Sequence, residues 1–220
     1  EKIKSCYHQP SLQNVLDTHT NKLYEEAAGY YTEKTGKLIS REEAQQIIRT
    51  TFTCLTKIDQ GRAVRNRMTL NEITNIIGLP GIDTAKVGAV LNIFREPGNT
   101  FIRPFINPEA PESLELVPSQ VLDITHESLI RNWLYLGEWA KEEFDNYSIS
   151  QDFEQQLGRW VNSGKSDDFL LPIGPLTYFE TWYNKVKPNQ WWIARYLPDE
   201  GKAGEILQNG KEFLANSARK

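Results

Sequence analysis

Histidine, cysteine and methionine are scarce in this chain: three, two and one among 220 residues. Cys6 and Cys54 are far apart and stand in no metal-ligand spacing. So few thiols exclude a disulfide scaffold, and both are expected to be buried reduced cysteines in a cytoplasmic protein. No apolar run approaches the roughly 18 residues of a membrane span, and no signal pattern opens the sequence, so no membrane partner is expected. Basic excess is missing too. A net charge of −4 and a pI near 5.5 leave no global footprint for nucleic acid, which is not expected as a partner. The chain begins at Glu1 without a methionine and ends on "SARK", and it is read as a piece of something longer.

Catalytic motifs are equally thin. "NSGKS" at 162–166 has the ending of a phosphate loop but neither its first glycine nor a preceding strand, so the backbone N–H cradle for phosphates is not expected there. No G-x-S-x-G elbow and no His-Glu-x-x-His zinc helix occurs. The carboxylate pairs Glu142–Glu143 and Asp167–Asp168 lie in polar stretches and read as solvated faces. The expectation is a non-enzyme fragment with no catalytic residue, no metal ligand and no cofactor of its own.

What the sequence does hold is aromatic mass, 11% of residues including six Trp, on a length that fits one to two domains. A chain of this size buries about 70% of its unfolded surface. Leu12, Val15, Leu16, His19, Leu23, Ala27 and Tyr30 recur at spacings of three and four, which predicts a helical stripe with His19 partly buried among aliphatics. Ser40 and Glu43 make a capping-box pair ahead of Ala44, Ile47, Ile48, Phe52, Leu55 and Ile58. An Arg-rich polar loop, "DQGRAVRNR", follows. A second box, Thr69 and Glu72, opens a helix with Leu70, Ile73, Ile76 and Ile77 inward and Gly78 as its stop. A third helix starts near Asp83.

Then the period changes. "TFIRPFI" and "LVPSQVLDIT" are β-branched and aromatic runs joined by a long loop, which predicts a hairpin, with Pro104 and Pro118 at an edge or bulge. Three helices and then a hairpin is the order of a winged helix. A long helix follows, about residues 127–144, with Leu129, Ile130, Trp133, Leu136, Ala140 and Phe144 facing a core. After "DNYSIS" come only helices, marked by Phe153, Leu157, Trp160 and Val161, by Pro175 through Tyr183, by Pro188 through Tyr196, and by Ile206 through Leu214. The fold class is therefore mainly α with a small β-hairpin wing. A linking helix at 1–37 precedes a winged-helix domain at 38–126, and 127–220 form a connecting helix and helical bundle.

His126 stands where the second strand meets the long helix, beside Glu127. Two accounts compete. In one, Glu127 complements the helix N-terminus and His126 ties the wing to the helix. In the other, the imidazole meets an external anion such as a phosphate. The Trp-rich "NQWWIARYL" invites comparison with a base-stacking platform, but few cations flank it and tryptophans at helical spacing are more often core.

The stretch "LDITHESLIRNW" resembles the motif near the winged-helix domain of bacterial STAND NTPases, signalling ATPases of the NACHT and AP-ATPase type that often carry WD or TPR repeats. The resemblance runs upstream through "FTCLTKIDQGRAVRNRMTLNEI". Downstream it takes in "LGEWAKEE", "RWVNSGKSDDFLL", "GPLTYFETWY" and "EFLANSARK", and it covers residues 12–220. Ile173 departs from it, where a basic residue is expected before Gly174, and the 107–120 loop is long. In related AP-ATPases and NLR proteins a Met-His-Asp motif in the winged helix reaches the ADP β-phosphate. The resemblance therefore implies His126 as a phosphate sensor and Glu127 as the residue in the aspartate position. It also implies a regulatory role between an upstream ATPase domain in cis, which would hold ATP or ADP with Mg, and a downstream repeat or effector domain. Two alternatives remain open from the residues. One is a DNA-binding winged helix, using Lys86 and Arg95 on the third helix with Arg62, Arg65 and Arg67 in the loop; these cations are equally candidate contacts to a neighbouring domain. The other is a nucleotide-independent protein–protein adaptor.

Overall fold

The structure, a computed structural model, describes residues 12–197 and 199–220; Cys6 and the first eleven positions of the linking segment lie outside the described residues. The chain divides into two compact units, one reaching Lys141 and the other Glu142–Lys220. The division comes later than residue 126 because the residues after it, among them Leu129, Ile130 and Trp133, are buried in the core of the first unit.

In the first unit α1 (Leu12–Thr35) packs on α2 (Arg41–Cys54), α4 (Thr84–Leu91) and α5 (Glu127–Asn132). Its buried stripe is Thr20, Leu23, Ala27 and Tyr31, while Val15 is exposed and Tyr30 half-buried. The helix is thus rotated from the expected register. Tyr30 instead donates to Glu96 at 2.7 Å, and burial together with that bond raises its pKa. His19 is half-buried, as expected, with its ring against Phe101 and a 2.8 Å hydrogen bond between Nε2 and Oδ1 of Asn99.

Ser40 caps α2 by accepting from the Glu43 N–H, and Ala44, Ile47, Ile48, Phe52 and Cys54 are buried. The Arg-rich segment is not a loop. It forms a hairpin, β1 (Thr56–Asp59) with β2 (Arg62–Arg65), closed by the pair Gln60 and Gly61 at φ 48° and 76°. Two consecutive left-handed residues give the twist that a two-residue hairpin turn requires. β3 (Met68–Thr69) then leads into α3 (Leu70–Ile77), where the Thr69–Glu72 capping box forms in full and Gly78 ends the helix at φ 58°. Asp83 caps α4, which tightens into a 3₁₀ turn at Asn92–Phe94.

The expected wing is present, with a third strand added. β5 (Val121–Ile124) lies between β3 and β4 (Ile102–Arg103), with Met68 opposite Leu122 and Ile102 opposite Ile124. Its central place buries Leu122, Asp123 and Ile124. Pro104 follows the edge strand β4, where no ladder donor is lost. The tip between the strands carries a 3₁₀ turn at Pro111–Leu114.

The long helix expected at 127–144 is two helices. α5 stops at Asn132, Trp133 is extended at φ −88° and ψ 104°, and α6 runs Leu134–Asn162. Trp133 is fully buried against Phe52, Phe94 and Trp139, and its Nε1 donates to Asn21 at 2.7 Å. Burying that ring on this side demands the break. "DNYSIS" lies inside α6, and Phe144, expected in the core, is exposed.

The second unit combines the rest of α6 with α7 (Ile173–Val186), α8 (Gln190–Ala194) and α9 (Ala203–Ser217). Phe153, Trp160, Phe179, Trp182 and Phe213 form its aromatic core. A Cβ at Gly210 would come within 3.1 Å of Phe153, so α9 packs close at that point. Oε1 of Glu143 collects three donors, Trp192 Nε1 at 2.9 Å, Arg195 Nη1 at 3.0 Å and Tyr196 OH at 2.5 Å, fixing α8 onto α6.

Candidate functional site

β5 delivers His126 to the surface. Thr125, the last buried residue, donates its N–H to Phe101 O at 3.0 Å. His126 occupies the cap position of α5 in extended conformation, φ −137° and ψ 135°, and its carbonyl accepts the Leu129 N–H at 3.0 Å. The imidazole makes no capping hydrogen bond and is exposed. Glu127 is exposed as well and pairs with Arg131 one turn on, at 3.4 Å. Such an exposed i,i+4 pair contributes about 0.3–0.5 kcal/mol.

Arg65 and Arg67 gather at this strand end. Arg65 Nη1 donates to the carbonyls of Ile124 at 3.2 Å and Thr125 at 3.4 Å, and lies 3.7 Å from Asp123. Arg67 Nε donates to Asp123 Oδ2 at 3.0 Å. Arg62 is exposed at the turn end of the hairpin, opposite Asp59. Asp123 was not picked out from sequence, yet a signal existed. An acidic residue between Leu122 and Ile124 in an apolar strand requires a cation once buried, and residues 62–67 supply it.

The other two candidate cations do not join this site. Lys86 pairs with Glu43 at 2.5 Å. Arg95 has no exposed surface. It donates to Pro104 O and Ser113 O at 2.7 Å each, to Leu114 O at 3.2 Å and to the side chain of Asn92. Its guanidinium braces the wing tip from inside, so it presents no charge to a DNA groove. Burial lowers its pKa to about 10, and it remains charged at neutral pH.

The remaining motifs are accounted for locally. "NSGKS" follows the C-terminal end of α6, not a strand, and Ser166 caps a 3₁₀ turn at Asp167–Phe169. In "NQWWIARYL" Trp192 is buried, Trp191 is exposed, and Tyr196 stacks on Tyr147 with centroids 4.3 Å apart. Glu143, expected on a solvated face, is mostly covered by its three donors. A groove of about 640 Å³ in the second unit is lined by Asp152, Gln155, Leu171, Pro172, Tyr178 and Phe179, and Asp152 is its one ionisable carboxylate. Among the described residues no three of His, Cys, Asp and Glu converge as a metal site requires, and no helix is long and apolar enough to cross a membrane.

The first unit is thus mainly helical with a small antiparallel sheet, and it presents a histidine where strand meets helix. Residues 12–168, more than half of the chain, match the family described as Novel STAND NTPase 1, nSTAND1, and the chain belongs to that family. No curated protein and no solved structure matches it. The match ends at Asp168, short of α7, α8 and α9.

Proposed function

We propose that this chain is a non-catalytic regulatory module of a STAND NTPase, in which α2, α3, α4 and the β3–β5–β4 sheet act as a winged helix and His126 reports the nucleotide state of an ATPase domain in cis. Glu127 occupies the acidic position of the motif and braces α5 through Arg131. ATP or ADP with Mg would be held by that ATPase domain, and α7, α8 and α9 would lead to a repeat or effector domain in the cytoplasm.

The observation that carries this reading is the exposure of the His126 imidazole at the end of a strand fixed on both edges. An exposed imidazole N–H can donate to a phosphate oxygen from outside. Exchange of ADP for ATP alters such a contact, and the closed state is then favoured by the difference in contact free energy, about 1–3 kcal/mol.

The test is nucleotide retention by the full-length protein. His126→Ala should lower co-purifying ADP by about fivefold or more, read by chromatography of the denatured sample. Unchanged ADP occupancy would remove the sensor role. The chain alone should neither hydrolyse ATP nor bind it tightly. Salt-sensitive binding to duplex DNA would favour the rival winged-helix regulator; little is expected, because Arg95 is buried and Lys86 is paired with Glu43.

A further inference from the structure

We propose that Arg65 is the positioning residue of His126, so that the β1–β2 hairpin controls how firmly the imidazole is presented; this rests on the sensor role given above. The contacts are sequential. Arg65 Nη1 holds the carbonyls of Ile124 and Thr125, the two residues before His126, and the same guanidinium faces Asp123. Arg67, two residues beyond the hairpin, donates to the same Asp123 oxygen, Oδ2, that Arg65 faces. Arg65 and Arg67 therefore grip Asp123, Ile124 and Thr125, the three residues that lead into His126. On the opposite edge Thr125 N–H is bonded to Phe101.

Beyond Thr125 the imidazole has no capping bond, so its direction follows the backbone that Arg65 holds. α5 also packs on β2. A displacement of the hairpin moves the atoms from which the ring projects. All three contacts run through Nη1 of the planar guanidinium, a position that a lysine ammonium on its differently shaped stem does not reproduce.

The latch is also poised to change. Arg65 Nε, Asp123 Oδ1 and Thr125 Oγ1 are buried without a hydrogen-bond partner, three of the four such side-chain atoms among the described residues of this unit. Unpaired buried polar groups are costly, so an arrangement that pairs them would be favoured over this one. A load on the hairpin thus acts on His126 through a contact whose polar groups are not all satisfied.

Two measurements decide this. In the full-length protein, Arg65→Lys should speed ADP release about as much as His126→Ala, and the double variant should release no faster than His126→Ala alone, as residues acting through one contact do. In the 220-residue chain, Arg65→Lys should cut hydrogen-exchange protection at Thr125 and Leu129 by about tenfold, while Lys57→Ala on the exposed face of the hairpin leaves it unchanged. Asp123→Asn serves the same purpose if Arg65→Lys does not fold. Additive effects on ADP release, or a silent Arg65→Lys beside an active His126→Ala, overturn the proposal. A silent His126→Ala removes the sensor role instead, and unchanged exchange in Arg65→Lys then overturns the positioning role by itself.

Discussion

Asp17 Oδ1, on the first helix, accepts the backbone N–H of Leu134 at 2.9 Å across 117 positions of sequence. α6 begins at Leu134 after the break at Trp133, so a side chain from α1 serves as its cap. One turn along, Asn21 accepts the Trp133 indole N–H. These two contacts fix where the chain leaves α5. They explain why a stretch that reads as one helix becomes two.

Removing the cap should therefore weaken the start of α6 more than its length implies. Asp17→Ala should cost about 1 kcal/mol in urea denaturation, the usual value of a lost N-cap. Asn21→Ala strands an indole N–H on a fully buried ring and should cost about 1–3 kcal/mol. Asn21→Asp keeps the acceptor for the indole but loses the amide that donates to Asp17 Oδ2 at 3.2 Å and sets two carboxylates together, so it should recover only part of that loss. An equal loss in both Asn21 variants would show that the amide's donation to Asp17, not the indole hydrogen bond, matters.

Arg95 poses a sharper test of the wing. Four acceptors from the 3₁₀ turn, the residue after β4 and the tip converge on one buried guanidinium. Arg95→Leu keeps much of the volume and strips the donor from three of those oxygens, Leu114 O keeping the Asn92 amide, so the expected cost is about 3 kcal/mol or more. The tip should loosen first. Limited proteolysis within residues 107–116 should accelerate well before the helical core opens.

Much of the architecture was legible because it rests on local rules. The Thr69–Glu72 box, the Gly78 stop, the Asp83 start and the inward faces of α2 and α3 follow from residue type and spacing. The failures are tertiary. Arg62, Arg65 and Arg67 look like loop cations until a two-residue turn at Gln60–Gly61 folds them into a hairpin beside Asp123. Arg95 looks like a surface charge on a helix, and only the returning tip supplies the carbonyls that let it be buried. Phe144 lies on the helical stripe yet outside the core. As for the site, the position of His126 at a strand–helix junction was readable, but the strand end behind it was not, because Asp123 acquires its partners from 56 positions upstream and beyond.

In the second unit, Glu143 should behave as a keystone for α8. Its carboxylate and the Arg195 guanidinium are both largely covered, with side-chain exposures of 17% and 8%. Breaking a buried pair by deleting one partner typically costs about 3–5 kcal/mol. Glu143→Ala should therefore destabilise this unit by that order, with an early change in tryptophan fluorescence as Trp192 loses its acceptor. Glu143→Gln keeps an acceptor oxygen and should lose distinctly less. Equal losses would mean that the charge, not the number of hydrogen bonds, sets the energy.

Glu154 carries a pH dependence. Burial raises its pKa, so in the folded state the neutral carboxyl is favoured. Below the unfolded-state value, about 4.3, the residue is protonated in both states and no penalty operates. As pH rises from there through the higher folded value, the unfolded chain ionises first, and stability is lost over that window. Glu154→Gln removes the ionisation, so it should match the parent chain in acid and exceed it at neutral pH. The gain should be less than about 1 kcal/mol, because the half-exposed carboxyl keeps much of its hydration. Thermal melts of both proteins at matched ionic strength, from pH 4 to 7, provide the comparison. A gap of constant size across that range would assign the effect to packing of the amide and leave no role for desolvation of the acid.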